Sequence, residues 1–600
     1  MFRLARAAVV ALTVSTALAG DPDPKIDPFL AERLAGGARD SFLVLFDSSE
    51  GLERALGEAR LGGGDGRAIY DVLRLRSRST QAEARRWLEG LGLRFRPLWI
   101  VNGLQVEGDL PLARALASRD EVVRVVADPA VRGIDAFAGT DAGGTDGLEW
   151  GLLAIRADQV WNLDGARGAG ITVASADTGV EWTHPAIRDR YRGWDGALAS
   201  HDYHWHDAIV DAAAPIDDHN HGTHTVGTMV GDDGAGNQIG VAPEAKWIGC
   251  RNMDAGVGRP STYLDCNQWF LAPWPHGGDP EIDGDPAMAP DVVNNSWGCP
   301  PSEGCDTAVL LDSFKALRAA GILAVVSAGN SGPSCSSVSD PPAIYDEGFA
   351  VGATESSGAL ALYSSRGNVT VDGSGRLRPD VAAPGSNVRS SVRGGGYASF
   401  SGTSMAGPHV AGAAALLWSA KPQVRGLLRI TRCLMSRSAS PAVSVSWPST
   451  CGGTAKTVRP NNFFGWGRID AYAAIHFGPD ADADGIADAC DCAAANGGAY
   501  DAPAEAGGIR FDTKSALAWD ALAREAGNGT VYDLVRGDLA DLRAAGSIAA
   551  SICQGPATTA ATRTDPATPA PEAGFYYLVQ ARNACGVGGW GAGRTRGTCP

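Results

Sequence analysis

The sequence predicts an α/β protein built on a mostly parallel sheet flanked by helices. A small α+β domain precedes it and a β-sandwich-like domain follows. Three observations predict this. Short apolar runs alternate with helical segments between residues 171 and 419. A strand–helix–strand alternation already occupies residues 25–130. Beyond Phe477 the composition shifts to Asp, Ala and Gly, then to strand-like runs between turn-rich stretches. At roughly 100–200 residues per domain, a chain of 600 residues needs three or four units.

Arg3 and Arg6 precede an apolar stretch, 7–19, that ends in Ala17-Leu18-Ala19, so residues 1–19 are expected to be a signal peptide. The apolar run is too short to span a bilayer well, and no later segment is long and apolar enough. The mature protein is therefore expected to be released, extracellular or periplasmic. The 12 cysteines suit that compartment, and no pair has zinc-like C-x-x-C spacing. Plausible local bridges are Cys250–Cys266, Cys299–Cys305 and Cys433–Cys451, with Cys553 bonded to Cys585 or Cys599. Cys335 competes for Cys299 or Cys305, and Cys490 and Cys492 are too close to pair easily, so the connectivity stays open. A formal charge of −17 argues against nucleic acid and anionic membrane as partners.

Within residues 25–130, segment 41–46 reads as a strand and 79–91 as a helix with a Ser cap. Segment 99–106 reads as a strand, 110–118 as a short helix and 122–126 as a closing strand. Residues 131–148 are expected to be an exposed processing linker, rich in Gly, Asp and Ala without periodicity. The domain at 149–477 carries strand runs at 171–176, 246–250, 291–295 and 322–327. His221 opens a small-residue helix, and 404–419 reads as an Ala-rich apolar helix. Between Asp254 and Pro290 a long loop is expected. Residues 478–505 form an acidic linker. Residues 506–600 hold strand-like runs at 517–519, 531–535 and 575–581 and look fibronectin type III-like, although 539–550 also suits a helix.

The chemistry sits in three segments: Ala176-Asp177-Thr178-Gly179, His221-Gly222-Thr223-His224-Thr225, and Gly402-Thr403-Ser404-Met405-Ala406-Gly407-Pro408. Each sets one reactive side chain among small residues, and the order Asp, His, Ser is the known subtilisin order. Over about residues 150–475 the chain resembles the subtilases, the subtilisin-like serine proteases. The resemblance implies that Ser404 attacks a scissile carbonyl, His221 carries the proton, and Asp177 holds the imidazole. Ser327-Ala328-Gly329-Asn330-Ser331-Gly332 matches the family's oxyanion loop, with Asn330 as side-chain donor beside the Ser404 amide. Ser296-Trp297-Gly298 and Ser327-Ala328-Gly329 are the implied walls of an extended substrate site, with Trp297 shaping a neighbouring subsite. No Asp or Glu lies within them, which favours apolar residues before the cut. His224 and His409 are read as packing residues. Residues 25–130 resemble the family propeptide, implying a folding assistant and inhibitor of its own protease. The loop between Asp254 and Pro290, with its Trp269-Phe270-Leu271-Ala272-Pro273, and the following Val292-Val293-Asn294-Asn295-Ser296-Trp297-Gly298 resemble the bacillopeptidase F branch.

Asp480, Asp482, Asp484, Asp488 and Asp491 fall at positions 1, 3, 5, 9 and 12 of a loop with Gly485 at position 6. That spacing wraps oxygens around one calcium ion, with Ile486 offering a carbonyl, and it resembles a thrombospondin type 3-like loop. It departs from the EF-hand in its final Asp and its lack of clear flanking helices; the plainer alternative is a solvated acidic linker. Asp217, Asp218, Asp232 and Asp233 are also available to calcium, but their spacing selects no site. The expected protein is a secreted, monomeric, self-inhibited serine endopeptidase acting on proteins, with structural calcium and no catalytic cofactor. The rival readings are a catalytically inactive secreted binding or adhesion protein, and an end-trimming peptidase on the same fold.

Overall fold

A computed structural model describes residues 23–46, 66–133, 137–138, 147–503, 506, 509–519, 521–545, 547–570, 573–590 and 599. The expected signal peptide and most of the expected processing linker lie outside the described residues.

The N-terminal region runs β1 (Asp40–Leu45), α1 (Gly66–Thr80), α2 (Ala82–Gly90), β2 (Phe95–Leu98), β3 (Gly103–Gly108), α3 (Leu110–Ala117) and β4 (Arg124–Ala127). Its antiparallel sheet has the order β2-β3-β1-β4. Alternation along β1 sends its side chains to two cores. Phe42 and Val44 cluster with Leu88, Leu104 and Leu116. Leu43 joins Tyr263, Trp269 and Phe314 of the following domain. Two short strands follow, β5 (Val131–Arg132) and β6 (Phe137–Ala138), where only linker was expected.

Two expectations change here. The single helix at 79–91 is two helices, and Ser79 does not cap: its hydroxyl bonds back to the Arg76 carbonyl in the last turn of α1. The strand at 99–106 starts as a 3₁₀ turn, Trp99–Val101, before β3. Those three residues are all buried and enter the core shared with the next domain, so they do not alternate as a half-buried strand would.

The central region contains β7 (Thr172–Asp177), β8 (Trp205–Asp207), α4 (His221–Val230), β9 (Lys246–Arg251), β10 (Met253–Asp254), β11 (Val257–Gly258) and α5 (Pro260–Leu271). It continues with β12 (Val292–Asn295), α6 (Leu311–Ala319), β13 (Leu323–Ser327), β14 (Phe349–Thr354) and β15 (Val381–Pro384). A hairpin of β16 (Val388–Val392) and β17 (Gly396–Ser401) leads into α7 (Thr403–Ala420) and α8 (Leu428–Arg437). The parallel sheet has the order β15-β14-β13-β12-β7-β9-β8. Helices α4 and α7 pack through Val226, Met229, Val410 and Leu417 in one core; α5 and α6 pack through Trp269, Phe270 and Phe314 in the other. After β7 the chain builds one side of the sheet with β8 and β9, then the other from β12 onward. The reversal opens a crevice beyond the carboxyl ends of β7 and β12, where α/β sheets place their sites.

The expected loop from Asp254 to Pro290 contains α5. All twelve of its residues are buried, because the N-terminal region covers the side that the sheet leaves open. A helix buried all round has no amphipathic period to read. The C-terminal region forms two antiparallel sheets, one from Arg510–Phe511, Ala516–Ala518 and Thr562–Thr564, the other from Val531–Asp538, Ile552–Cys553, Phe575–Asn583 and Gly586–Val587. Leu539–Ala545 is helical, as its composition allows.

Six disulfides link Cys250–Cys266, Cys299–Cys305, Cys335–Cys451, Cys433–Cys490, Cys492–Cys585 and Cys553–Cys599. The expected Cys433–Cys451 bridge is not formed. Cys451 lies in a hairpin folded back on Cys335, and Cys433 on α8 meets the acidic loop instead. Among the described residues, no helix is long and apolar enough to cross a membrane.

Candidate active site

Asp177 ends β7, His221 is the first residue of α4, and Ser404 lies in the first turn of α7. Topology thus brings residues 44 and 183 positions apart in sequence to one crevice. All three side chains are buried. His221 Nδ1 bonds Asp177 Oδ1 at 2.7 Å. The same oxygen accepts the Thr178 amide at 2.7 Å, and Thr225 Oγ1 donates to Oδ2 at 3.4 Å. An Nδ1–H held by a carboxylate leaves the imidazole lone pair on Nε2, the tautomer a general base needs.

Pro408 sits inside α7 and has no N–H to give to the Ser404 carbonyl four residues earlier. Ser296, just past β12, fills that vacancy: its Oγ donates to the Ser404 carbonyl at 3.0 Å. Ser404 Oγ donates to the Ser296 carbonyl at 3.3 Å. Asn294 Nδ2 steadies the Ser296 hydroxyl at 2.9 Å.

Asn330 follows β13. Its Oδ1 accepts both the amide and the hydroxyl of Thr403 at 2.9 Å, which orients its amide group beside the helix turn that carries Ser404. Gly329 has φ +104°, and a Cβ there would meet Ser365 Oγ at 2.9 Å, so the approach to Asn330 needs glycine. Of the expected walls, Ser296, Ser327 and Ala328 are buried. Trp297 is fully buried, its ring stacked on Tyr263 of α5 with centroids 3.8 Å apart.

Two edges went unrecognised in the sequence. Val131–Arg132 pairs antiparallel with Val257–Gly258, and the Gly133 amide donates to the Gly256 carbonyl at 2.8 Å. On the other side Phe137–Ala138 pairs antiparallel with Phe400–Ser401, and the Phe137 ring lies 5.6 Å from that of Tyr363. The Gly256-Val257-Gly258 run was the signal available for the first edge.

His224 Nε2 bonds the carbonyls of Val388 and Ala398 at 3.0 and 3.2 Å, and its ring stacks on Phe400. It thereby ties α4 to the β16–β17 hairpin. Burial lowers its pKa to about 3 and that of His409 to about 4, so both are neutral around pH 7. The four carboxylates left open as calcium ligands have protein partners. Asp218 pairs with Arg251, and Asp233 accepts from Asn237 and Tyr397. Asp232 accepts the Gly234 amide, and Asp217 accepts from both Thr178 and Thr223.

In the acidic loop, Asp480, Asp482 and Asp484 bring ligand oxygens within 4.8 Å of one another. Each uses one oxygen to accept a loop amide, from Gly485, Asp484 and Ile486 respectively. The other oxygens, Asp480 Oδ1, Asp482 Oδ2 and Asp484 Oδ2, are buried without a hydrogen bond, as is Asp491 Oδ2. Burial and the neighbouring carboxylates raise the pKa of Asp484 and Asp491. Asp488 lies outside this set, and its Oδ1 accepts the Ala481 amide.

The subtilase family model matches residues 168–467. The chain is 36% identical to bacillopeptidase F of Bacillus subtilis (strain 168) over 433 residues, 68% of this chain but only 28% of that protein. It is 32% identical to the alkaline protease of Alkalihalobacillus alcalophilus over 330 residues, 54% of this chain and 74% of that one. It is also 32% identical to subtilisin E of Bacillus subtilis (strain 168) over 298 residues, 48% of this chain and 68% of that one. With the matched region spanning the parallel sheet, the crevice, the strand that ends in Asp177 and the helices that carry His221 and Ser404, this chain belongs to the subtilase family.

Proposed function

We propose that the chain is a secreted serine endopeptidase made as a self-inhibited zymogen. The observation that carries the reading is that β5 and β6 each pair with a strand of the central region. The backbone pairs with Val257–Gly258 on one side and with Phe400–Ser401, directly before Gly402-Thr403-Ser404, on the other. That is how a peptide lies across a serine nucleophile, held by strand pairing on both flanks. Segment 25–130 then acts as an inhibitor, and the bond it gives up falls between Gly133 and Phe137. Because chain continues on both sides, internal cutting is favoured over end-trimming.

In this reading Ser404 Oγ attacks the carbonyl while His221 Nε2 takes its proton and later returns it to the leaving amine. Asp177 stabilises the imidazolium through the 2.7 Å bond to Nδ1. The Asn330 side-chain amide and the Ser404 amide, at a helix N-terminus, stabilise the oxyanion. A binding or adhesion protein would not need the buried Asp177–His221 bond or Asn330 fastened to Thr403 beside Ser404. Export is supported by the apolar leader and the six disulfides. The deciding experiment treats the purified full chain with a fluorophosphonate probe and sequences the mature N-terminus. Label at Ser404 and a new N-terminus between residues 134 and 137 are expected. An unlabelled Ser404 after processing, or an Ser404→Ala chain that still matures in a protease-deficient host, counts against the reading.

We also propose that Asp480, Asp482, Asp484 and Asp491 hold one structural calcium ion. Four buried carboxylate oxygens without protein donors are the support, since calcium takes six to eight oxygens and offsets their repulsion. Calorimetric titration of the Ser404→Ala chain with Ca²⁺ tests this; no heat would overturn it.

A further inference from the structure

Asp217 was one of four carboxylates with no role in the sequence, and it lies four residues before His221. Its surroundings are specific. Oδ1 accepts the Thr178 hydroxyl at 3.0 Å, the His219 amide at 2.9 Å and the Asn220 amide at 3.1 Å. Oδ2 accepts the Thr223 amide at 3.1 Å and the Thr223 hydroxyl at 2.6 Å. Its lone pairs thus point at protein donors, which leaves nothing for a cation.

These donors belong to two separate elements. Thr178 follows Asp177 at the end of β7, and the other four groups belong to the turn and first helical residues around His221. The Thr178 hydroxyl also accepts the Gly222 amide at 3.0 Å, so one hydroxyl joins the carboxylate to the residue after His221. Thr223 extends the link, because its hydroxyl also accepts the Glu181 amide at 2.9 Å.

The start of α4 needs such support. Asn220, its N-cap residue, has φ +83° and makes no side-chain cap bond. A non-glycine residue in that region is strained and persists only where its neighbours hold it. Asp217 holds it through the Asn220 amide and caps the helix from three residues further back by taking the Thr223 amide. Both sides of the 2.7 Å contact between Asp177 and His221 are thus tied to a second carboxylate, which bonds the backbone and threonine hydroxyls around them and not the imidazole.

We infer that Asp217 is a positioning residue of this site: a single buried carboxylate that fixes the loop after Asp177 and the first turn of α4 in one geometry. The inference rests on the proposed Asp177–His221–Ser404 triad. An asparagine there keeps only one acceptor oxygen, and in either orientation its NH₂ group would face protein donors.

The test compares mature wild type, Asp217→Asn, Thr178→Val and the double variant, with active sites counted by fluorophosphonate titration. Misplacing a catalytic group by about 1 Å costs up to roughly 100-fold, so Asp217→Asn should lower kcat by about 10–100-fold. KM should stay within about twofold, because no substrate contact is lost. Thr178→Val should lower kcat in the same way, and the double variant should fall short of the product of the single losses. A kcat within twofold of wild type, or a loss confined to KM, overturns the inference. If Asp217→Asn does not fold, Thr178→Val decides by the same two criteria. A wild type that takes no label overturns the peptidase reading and this inference together; a labelled wild type with unaffected variants overturns only this one.

Discussion

Ser296 and Ser404 hold each other. The Ser296 hydroxyl donates to the Ser404 carbonyl at 3.0 Å, and the Ser404 hydroxyl donates to the Ser296 carbonyl at 3.3 Å. The exchange exists because Pro408 denies the Ser404 carbonyl its helical partner. It fastens the start of α7 to the end of β12, across the crevice where Asp177 lies. Removing the Ser296 hydroxyl leaves a buried carbonyl short of a donor, worth about 1–3 kcal/mol. Ser296→Ala should therefore reduce kcat/KM by about 10-fold while the protein stays folded, measured with a chromogenic peptide and near-ultraviolet circular dichroism. An unchanged rate would mean that α7 holds Ser404 without this exchange.

Asp128 should make the grip of the N-terminal region pH-dependent. Its carboxylate accepts the Ser261 amide and hydroxyl at 2.8 Å and the Ser41 hydroxyl at 2.6 Å, capping α5 from outside its own domain. Burial raises its pKa above the ordinary 3.8. The bound form thus holds a proton more tightly than the free segment does. Binding of residues 25–133 to Ser404→Ala protein produced without residues 1–136 should tighten as pH falls through this window and loosen as pH rises through it. Asp128→Asn should flatten that dependence in calorimetry from pH 4 to 7. An equally steep profile in the variant would assign it to another group.

The acidic loop should destabilise the metal-free protein as pH rises. Burial, then neighbouring carboxylates, raise the pKa of Asp484 and Asp491 above 3.8 in the folded state. Between the unfolded and folded pKa values the native state binds more protons, so stability is present at low pH and is lost as pH rises through the folded values. Chelator-treated protein should melt several degrees lower at pH 7 than protein in millimolar Ca²⁺. Asp484→Asn should abolish the calcium-dependent part of that difference in scanning calorimetry. Equal melting points with and without calcium would leave the loop as a solvated linker.

The C-terminal region should survive nicking as part of the molecule. The Cys433–Cys490 bridge spans every peptide bond between those residues, and Cys492–Cys585 spans every bond between its own two. Only the two bonds of Asp491 lie outside both loops. After limited digestion of the Ser404→Ala chain, cuts between residues 493 and 509 should release fragments on reducing gels but not on non-reducing ones. Cys585→Ser should release them on both. Release from the unmodified chain without reductant would point to cleavage beside Asp491.

Local chemistry was readable from residue order. Asp177, His221, Ser404 and Asn330 each sit among small residues in short motifs, and the apolar runs of the parallel sheet are continuous because both faces are covered. The clustering of Asp480, Asp482 and Asp484 was readable too, because it is a property of five consecutive residues, whereas Asp488 turns to the Ala481 amide instead. What escaped reading depends on which distant segment covers or meets another. Helix α5 looked like a loop because the N-terminal region buries the face that would otherwise be polar. Cys451 looked like a partner for Cys433, 18 residues away in sequence, yet the hairpin carries it to Cys335. Asp217 was one of four carboxylates available to calcium whose spacing selected no site, until α4 and the loop after β7 turned five donors toward it. The sequence by itself determined the candidate reactive groups, their order and the strand–helix alternation, since these follow from residue type and near-neighbour spacing. Only the tertiary structure decided what holds Asp177 and His221 at 2.7 Å, because burial and hydrogen-bond partners are set by chain segments that sequence distance does not relate.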